Sequence, residues 1–156
     1  MTHLQPGDKA PYFEGPDQHG NTVRLSDFAG KKLILYFYPK DNTPGCTAEA
    51  VNLKENYEKL AAEGFAVAGV SPDTVASHQR FAEKYGLPFP LIADPEKKIL
   101  TDYGVWGEKK NYGRTYMGVH RTTFVINEEG VITHVFTKVK TKEHAAQILA
   151  AIAKGE

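Results

Sequence analysis

The residue with the clearest chemical potential in this 156-residue chain is Cys46, because it is the only cysteine. A single thiol cannot form a disulfide within the chain, and it is too few for a cysteine-rich zinc site. What remains is the chemistry of one nucleophilic sulfur, whose reactive form is the thiolate. A lone cysteine is also common core filler, so the residues around Cys46 must decide between the two interpretations.

Cys46 lies where a buried strand gives way to a helix. Residues 32–38 form an apolar, aromatic run that predicts a strand buried on both faces, and Pro39 ends it. After a short loop, apolar residues recur at spacings of four and three, which predicts a helix ended by Gly64: Cys46, Ala50, Leu53, Tyr57 and Leu60. The free N–H groups and partial positive charge at a helix N-terminus favour a thiolate over a thiol. This placement favours a reactive Cys46.

The residues before Cys46 follow a spaced pattern of proline, three residues, threonine, two residues and cysteine, set by Pro39, Thr43 and Cys46. In this pattern the chain resembles the peroxiredoxins. A fuller set of strings is similar to the bacterioferritin comigratory protein or peroxiredoxin Q branch: Phe37-Tyr38-Pro39, Thr43-Pro44-Gly45-Cys46-Thr47 and Glu49-Ala50. The resemblance continues through residues 7–11, 103–109 and 120–124, so it covers nearly the whole chain.

The resemblance implies a thiol-dependent peroxidase with Cys46 as the nucleophile. Cys46 would attack hydrogen peroxide or an organic hydroperoxide, become a sulfenic acid and be restored by a second thiol. Thr43 would place its hydroxyl beside the thiolate, Pro39 would shield the site from bulk water, and Arg121 would reach across from a later strand. The backbone N–H groups of Gly45 and Cys46 would add donors that stabilise the departing oxygen.

Each supporting residue also has a structural interpretation. Thr43 could be a loop hydroxyl that caps the helix, and Arg121 could be a surface charge at a strand end. Glu49, which can help to orient the arginine in the family, could be an ordinary first-turn acid favoured by the helix dipole. The six histidines lack a ligand spacing such as H-x-x-x-H, so we expect neither a metal nor a cofactor.

The chain departs from many members of the family in lacking a second cysteine. A resolving cysteine would stand five residues after the first, where this chain has Val51, or in the following helix near residues 81–83. We therefore predict a one-cysteine enzyme that is recycled by an external thiol, namely a small thiol, glutaredoxin or thioredoxin. Two alternatives stay open, a peroxide sensor without turnover and a thioredoxin-fold binding module. A thiol–disulfide oxidoreductase is disfavoured because no C-x-x-C pair is present.

The elements that must hold these residues follow an α/β order. Residues 10–13 and 22–25 flank a turn-rich segment and predict an N-terminal β-hairpin. Strands and helices then alternate, and a hairpin and a helix close the chain: strands 32–38, 65–70, 89–92, 121–126 and 131–136; helices from 46 toward 64, 75–85, from 94 toward 103, and after 141. This order predicts a thioredoxin-like fold with a central mixed sheet flanked by helices, in a single domain spanning residues 1–156.

Composition limits the possible partners. Positive and negative side chains balance at 19 each, so the net charge is zero and nucleic-acid binding is not expected. No apolar run approaches the roughly 20 residues that span a bilayer. Residues 1–8 also lack the apolar segment of a signal peptide. We expect a cytoplasmic protein without membrane contacts, and the resemblance implies a monomer.

Overall fold

A computed structural model describes residues 2–154 of the chain. Its strands are β1 (Glu14–Pro16), β2 (Thr22–Arg24), β3 (Lys32–Phe37), β4 (Phe65–Ser71), β5 (Leu91–Ala93), β6 (Trp106–Asn111), β7 (Arg114–Val119), β8 (Thr122–Ile126) and β9 (Ile132–Phe136). Its helices are α1 (Pro44–Glu55), α2 (Tyr57–Ala62), α3 (Val75–Tyr85), α4 (Lys98–Asp102) and α5 (His144–Lys154). A short 3-10 helix spans Leu25–Phe28.

The central sheet has five strands in the order β5-β4-β3-β8-β9. Strand β3 pairs in parallel with β4 and antiparallel with β8, so the sheet is mixed, as predicted. The predicted N-terminal hairpin is confirmed as β1 and β2, although its first strand lies at Glu14–Pro16 rather than at residues 10–13. Within residues 2–154, no helix has both the length and the apolar character needed to cross a membrane.

Strand β3 divides the core because its side chains point alternately to opposite faces of the sheet. Ile34 and Tyr36 pack on the face that is covered by α1, α2, α3 and α5. Leu35 and Phe37 pack on the other face, which is covered by α4 and by the segment before β1. Cys46 belongs to the first of these two clusters, so the thiol lies between α1 and the sheet.

One hairpin was not predicted from the sequence. Strands β6 and β7 pair antiparallel on either side of Tyr112 and Gly113, whose φ angles are 51° and 77°. Two successive residues with positive φ form the tight turn that suits the twist of a hairpin. The strands are mostly exposed and carry charged side chains, so they lack the apolar alternation by which a half-buried strand is recognised.

Most predicted element boundaries move by one to four residues, and three of these differences concern elements next to the site or have a clear local cause. The first helix is divided at Asn56, whose backbone at φ −106° and ψ 11° leaves the helical range. Helix α4 begins at Lys98 rather than at Asp94, because the Asp94 carboxylate accepts the N–H groups of Lys98 and Leu100 from outside the helix. Strand β8 begins at Thr122, one residue later than predicted, which leaves the preceding residue free of the ladder.

Candidate active site

Cys46 is the third residue of α1 and is only 1% exposed. Pro44 opens the helix, where a residue without an N–H is tolerated because the first N–H groups have no helical partner. Thr43 is the N-cap residue, but its side chain does not accept a hydrogen bond from the N–H groups of this first turn. The N–H groups of Gly45 and Cys46 therefore remain as donors, and the positive end of the helix dipole lies at the thiol.

Thr43 and Pro39 lie in the loop that leads from β3 to α1. The Thr43 hydroxyl donates to the Lys40 carbonyl at 2.8 Å, so the interpretation of Thr43 as a side-chain cap is wrong. A hydroxyl that has donated its hydrogen keeps lone pairs that can accept from another molecule. Pro39 is half-buried just after the strand, and it has no N–H with which to extend the ladder.

Arg121 lies between β7 and β8 and reaches the thiol with its side chain. Its Nη2 donates to Cys46 Sγ at 3.3 Å, and its Nη1 donates to Glu49 Oε1 at 2.6 Å. The interpretation of Arg121 as a free surface charge is therefore wrong. Gly45 leaves the room that this approach needs, because a β-carbon there would lie 3.3 Å from Nη2.

The environment of Arg121 keeps its guanidinium charged. Burial by itself would lower its pKa, but the charges of Glu49 and Cys46 outweigh that effect and raise the pKa above its ordinary value. A guanidinium with two donors directed at two acceptors is a rigid fork, which an ammonium group cannot reproduce. Arg121 thus links the thiol to a buried carboxyl group.

Glu49 is the sixth residue of α1 and is fully buried, so its interpretation as an ordinary first-turn acid is wrong. Burial raises its pKa from 4.5 to about 7, and the charge of Arg121 and the hydrogen bond from it offset only part of that rise. Glu49 Oε1 accepts from Arg121, whereas Oε2 has no hydrogen-bond partner among the residues that the structure describes.

A buried histidine that the sequence did not single out lies behind Glu49. His144 opens α5, and its Nε2 is 3.6 Å from Glu49 Oε2 and 2.8 Å from the Thr123 hydroxyl. Its Nδ1 lies 2.9 Å from the side-chain carbonyl of Gln147. Asn52 of α1 accepts the Ala145 N–H and so fixes the start of α5 against α1. Burial lowers the pKa of His144 to about 4, so the ring is neutral near pH 7.

The Glu49→Gln variant is expected to change how stability depends on pH. Folding raises the pKa of Glu49 from 4.5 to about 7. Its contribution to the free energy of unfolding is therefore fully present below pH 4.5 and is lost as pH rises through 7. Folding lowers the pKa of His144 from 6.5 to about 4, so its contribution is present above pH 6.5 and is lost as pH falls through 4. The two slopes oppose each other in the unmodified protein.

Removing the Glu49 carboxyl group should leave the pH dependence of stability that comes from His144. The free energy of unfolding of Glu49→Gln should therefore rise with pH between about 4 and 6.5 more steeply than that of the unmodified protein. Urea titrations at a series of pH values measure this slope. Glu58→Gln, at an exposed position of α2, is the matched control. Parallel curves for the Glu49 variant and the unmodified protein would contradict the prediction.

The loop before α1 is anchored by a second buried network. The Asp41 carboxylate accepts from the Tyr38 hydroxyl at 2.6 Å and the Ser77 hydroxyl at 2.8 Å, and it bonds His78 Nδ1 at 2.6 Å. Asp41, Asp73 and His78 also offer ligand atoms within 4.8 Å of one another, as a metal ion would require. Those atoms are already engaged in hydrogen bonds with neighbouring protein groups, which gives the cluster a structural role.

A shallow depression of about 460 Å³ lies over the first half of α1, with Thr43 and Val51 in its lining. Val51 is half-buried there. A larger cavity of about 650 Å³ is lined by Phe13, Asp94 and Ile99, and none of the residues at the thiol contributes to it. Cys46 and Arg121 do not line the depression, which is formed on the outer side of α1 and the loop before it.

A family match, a curated relative and two solved structures all resemble this chain over most or all of its length. Residues 6–135 match the AhpC/TSA family. The chain is 46% identical over 149 residues to peroxiredoxin Bcp of Bacillus subtilis, covering 96% of this chain and 95% of the relative. A cysteine-to-serine mutant of Xylella fastidiosa PrxQ superposes with a TM-score of 0.92 at 32% identity, covering 100% of both chains. A structure of Xanthomonas campestris bacterioferritin comigratory protein, concerned with alkyl peroxide reduction by that protein, gives a TM-score of 0.86 at 33% identity and the same coverage.

Proposed function

The chain belongs to the AhpC/TSA family and is a peroxiredoxin, a thiol-dependent peroxidase, and we propose that Cys46 is the residue that attacks the peroxide. The predicted thioredoxin-like fold is confirmed by the superpositions. The observation that carries the proposal for Cys46 is the 3.3 Å contact from Arg121 Nη2 to a buried sulfur at the start of α1. A cation and a helix N-terminus on one sulfur favour its thiolate form.

The reaction begins with attack of the Cys46 thiolate on one oxygen of hydrogen peroxide or an organic hydroperoxide. An S–O bond forms in line with the O–O bond, which breaks, and its electron pair leaves on the far oxygen as hydroxide or alkoxide. That oxygen takes a proton to give water or an alcohol, and the attacked oxygen keeps its own hydrogen. The sulfur is oxidised to a sulfenic acid while the peroxide is reduced.

The groups around the sulfur have distinct tasks in this step. Arg121 and the N–H groups of Gly45 and Cys46 donate toward the peroxide, and they stabilise the negative charge that grows on the departing oxygen as the O–O bond breaks. The Thr43 hydroxyl donates a hydrogen bond to the Lys40 carbonyl. Its oxygen is therefore free to accept a hydrogen bond from the peroxide O–H, which orients the peroxide. Pro39 limits the approach of water from the β3 side of the loop.

Recovery of the thiol requires a second thiol from outside, because the chain has one cysteine. An external thiolate attacks the sulfenic sulfur, and the S–O bond breaks as its oxygen leaves as hydroxide, which takes a proton to become water. The thiolate of a further thiol then attacks the mixed disulfide and releases the Cys46 thiolate. Since Cys46 is 1% exposed, the reductant is a small thiol, or a protein such as glutaredoxin or thioredoxin that binds after the first turn of α1 opens. We propose a monomer, because the large apolar side chains that are most exposed among the described residues are few: Tyr12, Tyr112, Tyr116 and Met117.

One equivalent of hydrogen peroxide added to the reduced protein tests the role of Cys46. We expect the loss of the free thiol within seconds, with a gain of one oxygen that a sulfenic-acid trap converts into a covalent adduct at Cys46. Met117 is 54% exposed and can also gain oxygen, so peptide mapping must assign the adduct. A thiol that reacts no faster than a free thiol in solution would refute the proposal and favour a binding module.

A further inference from the structure

The starting observation is the bare oxygen of Glu49. The residue is fully buried, Oε1 is bonded to Arg121, and Oε2 has no hydrogen-bond partner within residues 2–154. An ionised carboxylate spreads its negative charge over both oxygens. A buried carboxylate oxygen without a hydrogen-bond donor is therefore unfavourable. A proton on this carboxyl group would remove the penalty of burying an unpaired charged oxygen.

The hydrogen bonds of His144 define which ring nitrogen is protonated. The Gln147 amide is oriented by two backbone groups, because its oxygen accepts the Lys140 N–H at 3.0 Å and its nitrogen donates to the Lys138 carbonyl at 2.8 Å. The same oxygen faces His144 Nδ1 at 2.9 Å, so Nδ1 carries the hydrogen. In the neutral ring Nε2 is then an acceptor, which the Thr123 hydroxyl can satisfy at 2.8 Å.

Two acceptors therefore face each other, Glu49 Oε2 and His144 Nε2, at a separation of 3.6 Å. One added proton removes the conflict, because a protonated Glu49 no longer sets a charged oxygen against the lone pair of Nε2, and an imidazolium would place a positive charge at ion-pair distance from Oε2. The Thr123 hydroxyl can accommodate both, since it donates to a bare Nε2 and accepts from a protonated one. The other ionisable groups near this pair are Arg121, on the opposite oxygen of Glu49, and the buried Tyr36 on β3.

We propose that Glu49 and His144 share one proton, and that His144 is a positioning residue that sets the charge behind Arg121. The inference rests on the proposed function of Cys46, because its effect on the reaction is exerted through the Arg121–Cys46 contact. With the shared proton in place, the charges of Arg121 and of the Cys46 thiolate balance. Without it, Glu49 adds a second negative charge that competes with the thiolate for the same guanidinium.

The pair therefore protects the thiolate as the solution becomes mildly acidic. The pKa of Glu49 is raised to about 7 by burial, and that of His144 is lowered to about 4 by burial, so the proton resides on the carboxyl side. As pH falls through 7, Glu49 takes up its proton, and Arg121 is left to the thiolate alone.

Infrared spectroscopy of the reduced enzyme detects the proton directly and needs no peroxide. We expect a protonated-carboxyl band that grows as pH falls through about 7 and that is absent in Glu49→Gln. In His144→Gln the new amide N–H donates to Oε2 and stabilises the carboxylate, so the midpoint should fall by about one pH unit. His19→Gln, in an exposed turn, should leave the midpoint unchanged.

A second variant keeps the test decisive if His144→Gln does not fold. Gln147→Glu puts a carboxylate on Nδ1, so the proton should move to His144, the carboxyl band should weaken, and the ring nitrogens should give imidazolium signals in nitrogen NMR. An unchanged band in this variant, or an unmodified enzyme without the band at pH 6, would overturn the inference.

The rate of Cys46 oxidation by hydrogen peroxide supplies the functional readout. Near pH 6.5, between the two midpoints, the rate constant of His144→Gln should be lower than that of the unmodified enzyme by at most about tenfold, and the difference should shrink toward pH 8 and pH 5, where Glu49 has the same protonation state in both proteins. Equal pH profiles would refute the positioning role. An enzyme that shows the carboxyl band but does not react with peroxide would instead refute the proposed function and leave the shared proton standing.

Discussion

Replacing Arg121 by methionine is expected to lower the rate constant for oxidation of Cys46 by hydrogen peroxide by about two to three orders of magnitude. Methionine keeps much of the length of the side chain but removes the donor at 3.3 Å from Sγ and its charge. Both the thiolate and the departing oxygen lose their principal cation. Arg121→Lys restores the charge without the fork that also binds Glu49, so it should recover only part of the rate.

The rate is measured by stopped-flow mixing of the reduced variants with peroxide at several concentrations. Arg114→Met serves as the control, because Arg114 is exposed on β7 and lies outside the site. Unfolding curves for each variant separate a loss of chemistry from a loss of structure. If Arg121→Met retained more than about a tenth of the rate, Arg121 would not be a principal stabilising group.

Replacing Asp41 by asparagine is expected to lower the free energy of unfolding by about 3 kcal/mol. Asp41 is 7% exposed, and its carboxylate accepts from Tyr38 and Ser77 while pairing with His78. The other ring nitrogen of His78 lies 3.1 Å from the Ile92 carbonyl, so the imidazole ties the Asp41 carboxylate to the end of β5. Asparagine keeps the size of the side chain, but it removes the charge of the carboxylate and replaces one acceptor oxygen with an NH2 group in this buried network.

The same variant should also slow the reaction of Cys46, because Asp41 anchors the loop that precedes α1. Denaturant titrations give the loss of stability, and peroxide kinetics give the loss of rate. Asp102→Asn is a matched control, since Asp102 pairs with Lys98 on an exposed helix surface, where such a pair contributes about 0.5 kcal/mol or less. A loss in Asp41→Asn no larger than in this control would contradict an anchoring role.

The surroundings of Cys46 could be predicted because the signals for them are local. The apolar run of β3, the break at Pro39 and the spacing from Cys46 to Leu53 lie within a short stretch of chain and directly specify a strand, a loop and a helix. The order of the later strands and helices gave the layers of the fold for the same reason. Arg121 was different, since only the family resemblance connected it with a thiol 75 residues away.

The inner part of the site could not be predicted, because it depends on contacts between distant elements. Glu49 reads as a helix acid in the sequence, and its burial becomes evident only when α5 packs on α1. His144 gave one usable signal that was missed: it precedes Ile148 and Ile152 at intervals of four, which places it on the apolar face of α5. Grouping the histidines by metal-ligand spacing concealed that position.

The register of β3 against β8 has a consequence for how the protein acquires its reactivity. Phe37 at the end of β3 lies opposite Thr122 at the start of β8, and these ends hold the two halves of the site. The contact between Cys46 and Arg121 therefore closes only when two segments 75 residues apart have found each other. Such long-range closure comes late in a folding reaction, since its loop entropy must first be overcome. A chain in which β3 and β8 have not yet paired therefore holds Cys46 without its contact to Arg121.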